Sequence, residues 1–275
     1  MNKLKKYFSG TRKSGGFTIV EVLIASIIAS IAIAAGMQLF ISQNQSHLIQ
    51  AGVTDMQQNG RATVDELVGK LRQTGYKLQP GITSLFAWNS NPDTIAIVFM
   101  AEPLCTASLS ENMSQATSEI RCEDADISCL TADSWAYIYD AVKDSGEFFF
   151  VTAFDAGTGI IHHNLAALTK AYSQGAQVFV LDFYKYYVDD SDTLHSYLMM
   201  VKNGGNPVIY ADNINDLQFR YVLANGAVVD SVVVDRYVRE VQVSVVARSD
   251  RNDEFLNDFR YDTLRSSAMI RNLAM

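Results

Sequence analysis

The chain has four prolines in 275 residues, and none before Pro80, so no ring forces a break in a helix over that stretch. Charge is missing from Val22 to Ile41. That length matches the roughly 20 apolar residues a helix needs to cross a bilayer core of about 30 Å. No second stretch of that kind follows, so everything after it is expected on one side of the membrane. G-x-S-x-G, H-E-x-x-H and a glycine-rich phosphate loop are missing too, leaving catalysis little support and giving no catalytic residue and no cofactor. No internal repeat or low-complexity tract is evident. With three cysteines and no closely spaced Cys or His pair beside them, a zinc site has no donor set.

What is present begins with an unusual order. A polar leader, residues 1–16, ends in Gly15 and Gly16 and precedes the apolar run. In a secretory signal the apolar part comes first and is discarded. Here a cut after Gly16 removes only the leader and leaves the apolar run on the mature chain. The leader carries Lys3, Lys5, Lys6, Arg12 and Lys13 and no acid, so positive flanks hold it on the cytoplasmic side. The full chain has a formal charge of −8, and loss of the leader leaves 17 basic against 30 acidic side chains. Such a chain is a poor nonspecific nucleic-acid binder, since phosphates call for clustered Lys and Arg.

Beyond the apolar run, Val64, Leu67, Val68 and Leu71 recur at helical spacing among Asp65, Glu66, Lys70 and Arg72. One helix is expected from Phe17 to Thr74, with residues 17–41 as its transmembrane half and 42–75 as its amphipathic half. At about 1.5 Å per residue it makes a rod of about 87 Å. Punctuation at Gly75 and Pro80 ends it, and the period then changes to two. Strands are expected at Thr94 to Met100, Phe148 to Phe154, Val178 to Val188, Leu194 to Val201, Leu217 to Leu223 and Val241 to Val245, with a weaker last one near Arg260 to Arg265. The fold class is therefore α+β. A long N-terminal helix packs its outer half on an antiparallel sheet in a β-rich head, residues 76–275, with a polar cysteine-containing surface insertion at about 104–133.

Cys105, Cys122 and Cys129 lie in that insertion, where export permits a disulfide. Two of the three would pair, by any of three pairings, or all three stay unpaired. Asp189, Asp190 and Asp192 lack an EF-hand's glycine and terminal glutamate and read as a solvated turn, as does the run Arg248 to Glu254. His162 and His163 are adjacent and read as loop residues. Tyr184, Tyr186, Tyr187 and Tyr197 concentrate on one hairpin, where core packing competes with a binding surface.

Glu21 is the one acid near the apolar run. A charge deep in lipid costs about 2.5–3.5 kcal/mol on insertion scales, so such a group has a partner or a function, whereas near a helix N-terminus it complements the dipole. The combination of basic leader, Gly16, Phe17, Glu21 and uninterrupted apolar helix resembles the class III prepilin leader shared by type IV pilins and secretion-system pseudopilins. That resemblance implies that an inner-membrane prepilin peptidase cuts between Gly16 and Phe17 and methylates the new amine of Phe17. It also implies a role for Glu21 in assembly, meeting a neighbouring subunit's Phe17 amine and setting register.

RQTGY at Arg72 to Tyr76, NINDLQFRYVL at Asn213 to Leu223, VREVQVSVVARSD at Val238 to Asp250 and the closing FRYDTLRSSAMIRNL resemble PilW-like minor pilins. Major pilins commonly carry a proline in the membrane helix, which this chain lacks. The resemblance implies a low-abundance subunit that starts pilus assembly or sits in the tip complex. Its partners would be other minor pilins, the major pilin and a tip adhesin. It would sit in the bacterial inner membrane, single-pass with the head in the periplasm, and then in the pilus fiber or its tip. A J-type minor pseudopilin of a type II secretion system is the nearest alternative, and a membrane-tethered periplasmic enzyme or binding protein is the second.

Overall fold

The computed structural model describes residues 15–78, 82–100, 106–122, 130, 132–164, 168–192, 195–232, 235–253 and 256–273. Its proline-free start folds as one α-helix, α1 (Ile19–Gln73). Among the described residues fourteen strands follow: β1 (Leu85–Trp88), β2 (Thr94–Met100), β3 (Thr106–Ser108), β4 (Ile120–Arg121), β5 (Ser134–Asp140), β6 (Ser145–Asp155) and β7 (Ile160–His163), then β8 (Gln177–Asp189), β9 (Tyr197–Lys202), β10 (Val208–Asp212), β11 (Ile214–Leu223), β12 (Val228–Val229), β13 (Val238–Arg248) and β14 (Tyr261–Met269). The fold is α+β, a long N-terminal helix followed by antiparallel sheets. The chain divides into two compact units, one up to Ala51 and one from Gly52 onward.

Within the second unit, ten strands form one sheet along the order β1-β2-β8-β5-β6-β7-β4, with β3 and β9 also on β8 and β10 on β9. The remaining four form a second sheet, β12-β11-β13-β14. All pairings are antiparallel. Strand β8 organises the large sheet, since its first residues pair with β3 and β5 and its later ones with β2 and β9. Its alternation explains how it serves two faces: Tyr184, Tyr186 and Val188 join the core with α1, while Phe179 and Leu181 join a cluster with Val98 and Met100.

The outer turns of α1 supply the stripe that this core needs. Val64, Leu67, Val68 and Leu71 are buried, with Leu67 and Leu71 wholly inaccessible, against residues of both sheets. Truncating such a leucine costs about 2–5 kcal/mol. Polar contacts fix the helix in register: the Tyr186 hydroxyl donates to Glu66 Oε1 at 2.6 Å, and Lys70 Nζ sits 3.7 Å from the Tyr184 ring centroid. The helix stops at Gln73, Gly75 follows with φ of 74°, and the Gly75 amide donates to the Val98 carbonyl at 2.9 Å.

Two buried aspartates stitch distant segments. Asp93 accepts from the Phe219 amide at 2.8 Å, and its own amide donates to the Leu217 carbonyl, joining the start of β2 to β11. Asp235 Oδ2 accepts from the Ser84 amide at 2.6 Å and from the Leu85 amide at 3.3 Å.

Two expectations change. The segment expected to be a surface insertion contributes Leu109, Met113, Ile120 and Cys122 to a second core with β5, β6 and β8. Its polar composition hides apolar residues spaced between turns. His162 and His163 are not loop residues but end β7. His163 is buried, and its Nε2 lies 2.9 Å from the Ser118 carbonyl oxygen, which ties that same segment down.

Candidate functional site

The bond between Gly16 and Phe17 lies just ahead of α1, in non-helical, exposed chain. Thr18 begins the helix as its N-cap, and its carbonyl accepts the first helical bond, from Val22 N at 3.2 Å. The sequence Thr18-Ile19-Val20-Glu21 then closes a reciprocal capping box. The Thr18 amide and hydroxyl both donate to Glu21 Oε2 at 2.9 Å, and the Glu21 amide reaches back to Thr18 Oγ1 at 3.3 Å. The carboxylate thus receives two hydrogen bonds from its own helix start and opposes the positive end of the helix dipole. Sequence reasoning placed Glu21 and missed Thr18, although the T-x-x-E spacing was there to be found.

Downstream the run is bare. Phe17 is 87 % exposed, and Ile24, Ile28, Ile31 and Phe40 are exposed along with it. The polar groups inside the run are satisfied by the helix itself: Ser26 Oγ donates to the Leu23 carbonyl at 2.8 Å, and Ser30 Oγ to the Ser26 carbonyl at 2.7 Å. This helix is long and apolar enough to cross a membrane. The arrangement is therefore an apolar rod with one charge, held at its tip, four residues from a peptide bond that an enzyme can reach. A carboxylate there can exchange its Thr18 donors for a cation arriving from outside.

The other candidates do not gather into a site. Cys122 is a buried free thiol, and burial pushes its pKa up to about 11. Cys105 and Cys129 lie outside the described residues. Asp189 Oδ1 accepts from the Ser191 amide at 3.1 Å, closing its own turn. Asp253, in the run Arg248 to Glu254, pairs with Arg260, whose Nε lies 2.6 Å from Asp253 Oδ2. Among the described residues no group of three or more His, Cys, Asp or Glu side chains is arranged to hold a metal. Of the hairpin tyrosines, Tyr184 and Tyr186 are buried toward α1, and Tyr187 and Tyr197 are half-exposed on the other face.

Residues 11–37 match the prokaryotic N-terminal methylation motif. No curated protein matches the chain. The motif spans the proposed cut, the capping box and most of the apolar run. It supports a type IV pilin-like or pseudopilin-like chain, a substrate of prepilin peptidase that is anchored in the inner membrane and then enters a pilus-type assembly. It points to a structural, pilin-type protein.

Proposed function

We propose that this chain is a minor pilin of the PilW-like kind, a low-abundance structural subunit that acts in assembly initiation or in the tip complex of a type IV pilus. The observation that carries the reading is the methylation motif coinciding with a capped carboxylate at the head of the exposed apolar run that opens α1. The peptidase cuts between Gly16 and Phe17 and methylates Phe17, the basic leader stays cytoplasmic, and the β-rich head lies in the periplasm. The new Phe17 amine is a cation. Glu21 of one subunit meets the amine of a neighbour in an apolar setting, where both ions lose water, so the pair contributes alignment more than affinity. Other minor pilins and the major pilin are the partners, and a tip adhesin is a third.

The test is mass spectrometry of the native mature chain together with one variant. The mature chain is expected to begin at N-methylated Phe17. Glu21→Ala is expected to reach the membrane in normal amounts and to be depleted from sheared filaments. A different N-terminus, or undiminished incorporation of the variant, overturns the reading.

A further inference from the structure

Strand β14 closes the small sheet with one neighbour, β13, over nine residues in unbroken register. Just before it the Ser249 amide donates to the Arg260 carbonyl at 2.8 Å, and just after it the Ile270 amide donates to the Arg239 carbonyl at 2.9 Å. Hydrogen-bonded pairs alternate along an antiparallel ladder, so Asp262, Leu264, Ser266 and Ala268 turn their amides and carbonyls to β13. Tyr261, Thr263, Arg265, Ser267 and Met269 turn theirs outward, where no strand meets them among the described residues. The side chains of these five are exposed, on the face opposite the one that Leu264 and Ala268 present to the core with α1.

A free edge of this length, about 30 Å, stands apart within the molecule. The other strands with a single neighbour among the described residues are short: β4 and β12 have two residues, β3 three, β1 four, and β10 five with a register shift. Along β11 the edge beyond β12 is taken up by Asp93, which bonds the Leu217 carbonyl and the Phe219 amide. Proline, lysine and bulges blunt an edge, and β14 has none of them. Such an edge is a template for a strand of another chain, held by main-chain hydrogen bonds.

The charges on β14 say which chain. Arg265 lies at the middle of the outward row and Asp262 on the inner face, and neither has an ion-pair partner among the described residues. A two-fold contact between copies runs the two strands antiparallel and keeps each face on its own side, so in every register odd positions meet odd and even meet even. Arg265 then faces Tyr261, Thr263, Ser267, Met269 or a second Arg265, and Asp262 faces Leu264, Ser266, Ala268 or a second Asp262. The other carboxylates that register sets on the outer face stand further in, Glu240 on β13, Asp216 on β11 and Asp230 paired with Arg220. A head-to-tail contact with a second copy has only the short edges to offer. We infer that the β14 edge is extended by a strand of a different protein, which carries a carboxylate opposite Arg265. The inference goes beyond the assembly role proposed above and does not depend on the cut at Gly16.

The experiment places a benzophenone amino acid at Thr263, and separately at Ser267, in the full chain in its own cells. Irradiation is expected to join both positions to the same separate polypeptide, with no adduct from Val228 on the opposite edge of the sheet. Ser267→Pro removes an amide that β13 does not use, a change an edge strand tolerates, and is expected to cut the adduct from Thr263 by about tenfold or more while the detergent-solubilised chain keeps its cooperative melt. Arg265→Glu sets like charges opposite each other and is expected to lower the yield about three- to tenfold. Changing the partner's carboxylate nearest the cross-linked peptide to arginine is expected to restore it, which decides the matter even where Ser267→Pro disturbs the fold. An adduct within one chain or between two copies, one to lipid or saccharide, equal yield from Val228, a yield unmoved by Ser267→Pro or by Arg265→Glu, a loss that the reversal does not restore, or no adduct at all each overturns the inference.

Discussion

A side chain at Gly60 would have to occupy the place of Leu264: a Cβ built on Gly60 comes within 2.6 Å of Leu264 Cδ1 and 3.4 Å of Ala247 Cβ. Glycine costs about 1 kcal/mol relative to alanine in a helix interior, so its presence here is explained by the closeness of α1 to β13 and β14. Gly60→Val is expected to destabilise the detergent-solubilised chain by about 1–3 kcal/mol through overpacking, read as a fall in Tm by circular dichroism. Gly60→Ala is expected to be better tolerated on a Leu264→Ala background than alone, with a coupling of about 0.5–3 kcal/mol in the double-mutant cycle.

Asp93 should leave a signature in the pH dependence of stability. Burial raises its pKa, with the amides of Phe219 and Ser90 acting against the shift and Asp216 and Asp230 adding to it. A carboxyl whose folded pKa is raised binds its proton more tightly in the folded state. Its contribution is complete below the ordinary value of 3.8 and is lost as pH rises through the folded value. Asp93→Asn removes this titration and one acceptor, at a cost of about 1–3 kcal/mol. The deficit relative to the parent is expected to be larger near about pH 3 than near about pH 7, measured by denaturant unfolding at both.

Cys122 is expected to resist alkylation. Burial withholds the thiolate, the reactive form, by holding the pKa at about 11. At about pH 8 the native chain should react with iodoacetamide at this position roughly a hundredfold more slowly than the unfolded chain. Labelling should then go to completion in urea without reductant, as a free thiol requires. Peptide mass spectrometry separates Cys122 from the other two cysteines; a Cys122 peptide that labels only after reduction contradicts the free thiol.

The strands were legible wherever one face is buried and the other wet, as in Leu217, Phe219 and Tyr221 of β11, because burial on one side imposes a period of two. The stripe of α1 was legible for the parallel reason, since Val64, Leu67, Val68 and Leu71 repeat at the helical period. What escaped is set by contacts between positions far apart in the chain. Nothing in the sequence marks Asp93 until the Phe219 amide arrives beside it, and His163 reads as a loop residue until Ser118 does. The second core was hidden because Leu109, Met113 and Ile120 are spread among serines and glutamates, with no period to announce them. At the candidate site the sequence offers the order of Gly16, Phe17 and Glu21, and the methylation motif covers all three. The contribution of Thr18 emerges only when its hydroxyl and amide are seen to converge on one carboxylate oxygen.

That convergence bears on maturation. The proposed cut between Gly16 and Phe17 precedes Thr18 and lies in non-helical chain, so a protease acting there has no need to unwind α1. Every atom of the lock that starts the helix travels with the product, and removal of the leader leaves the first turn closed. Maturation can thus expose a new end while the rod behind it keeps its shape.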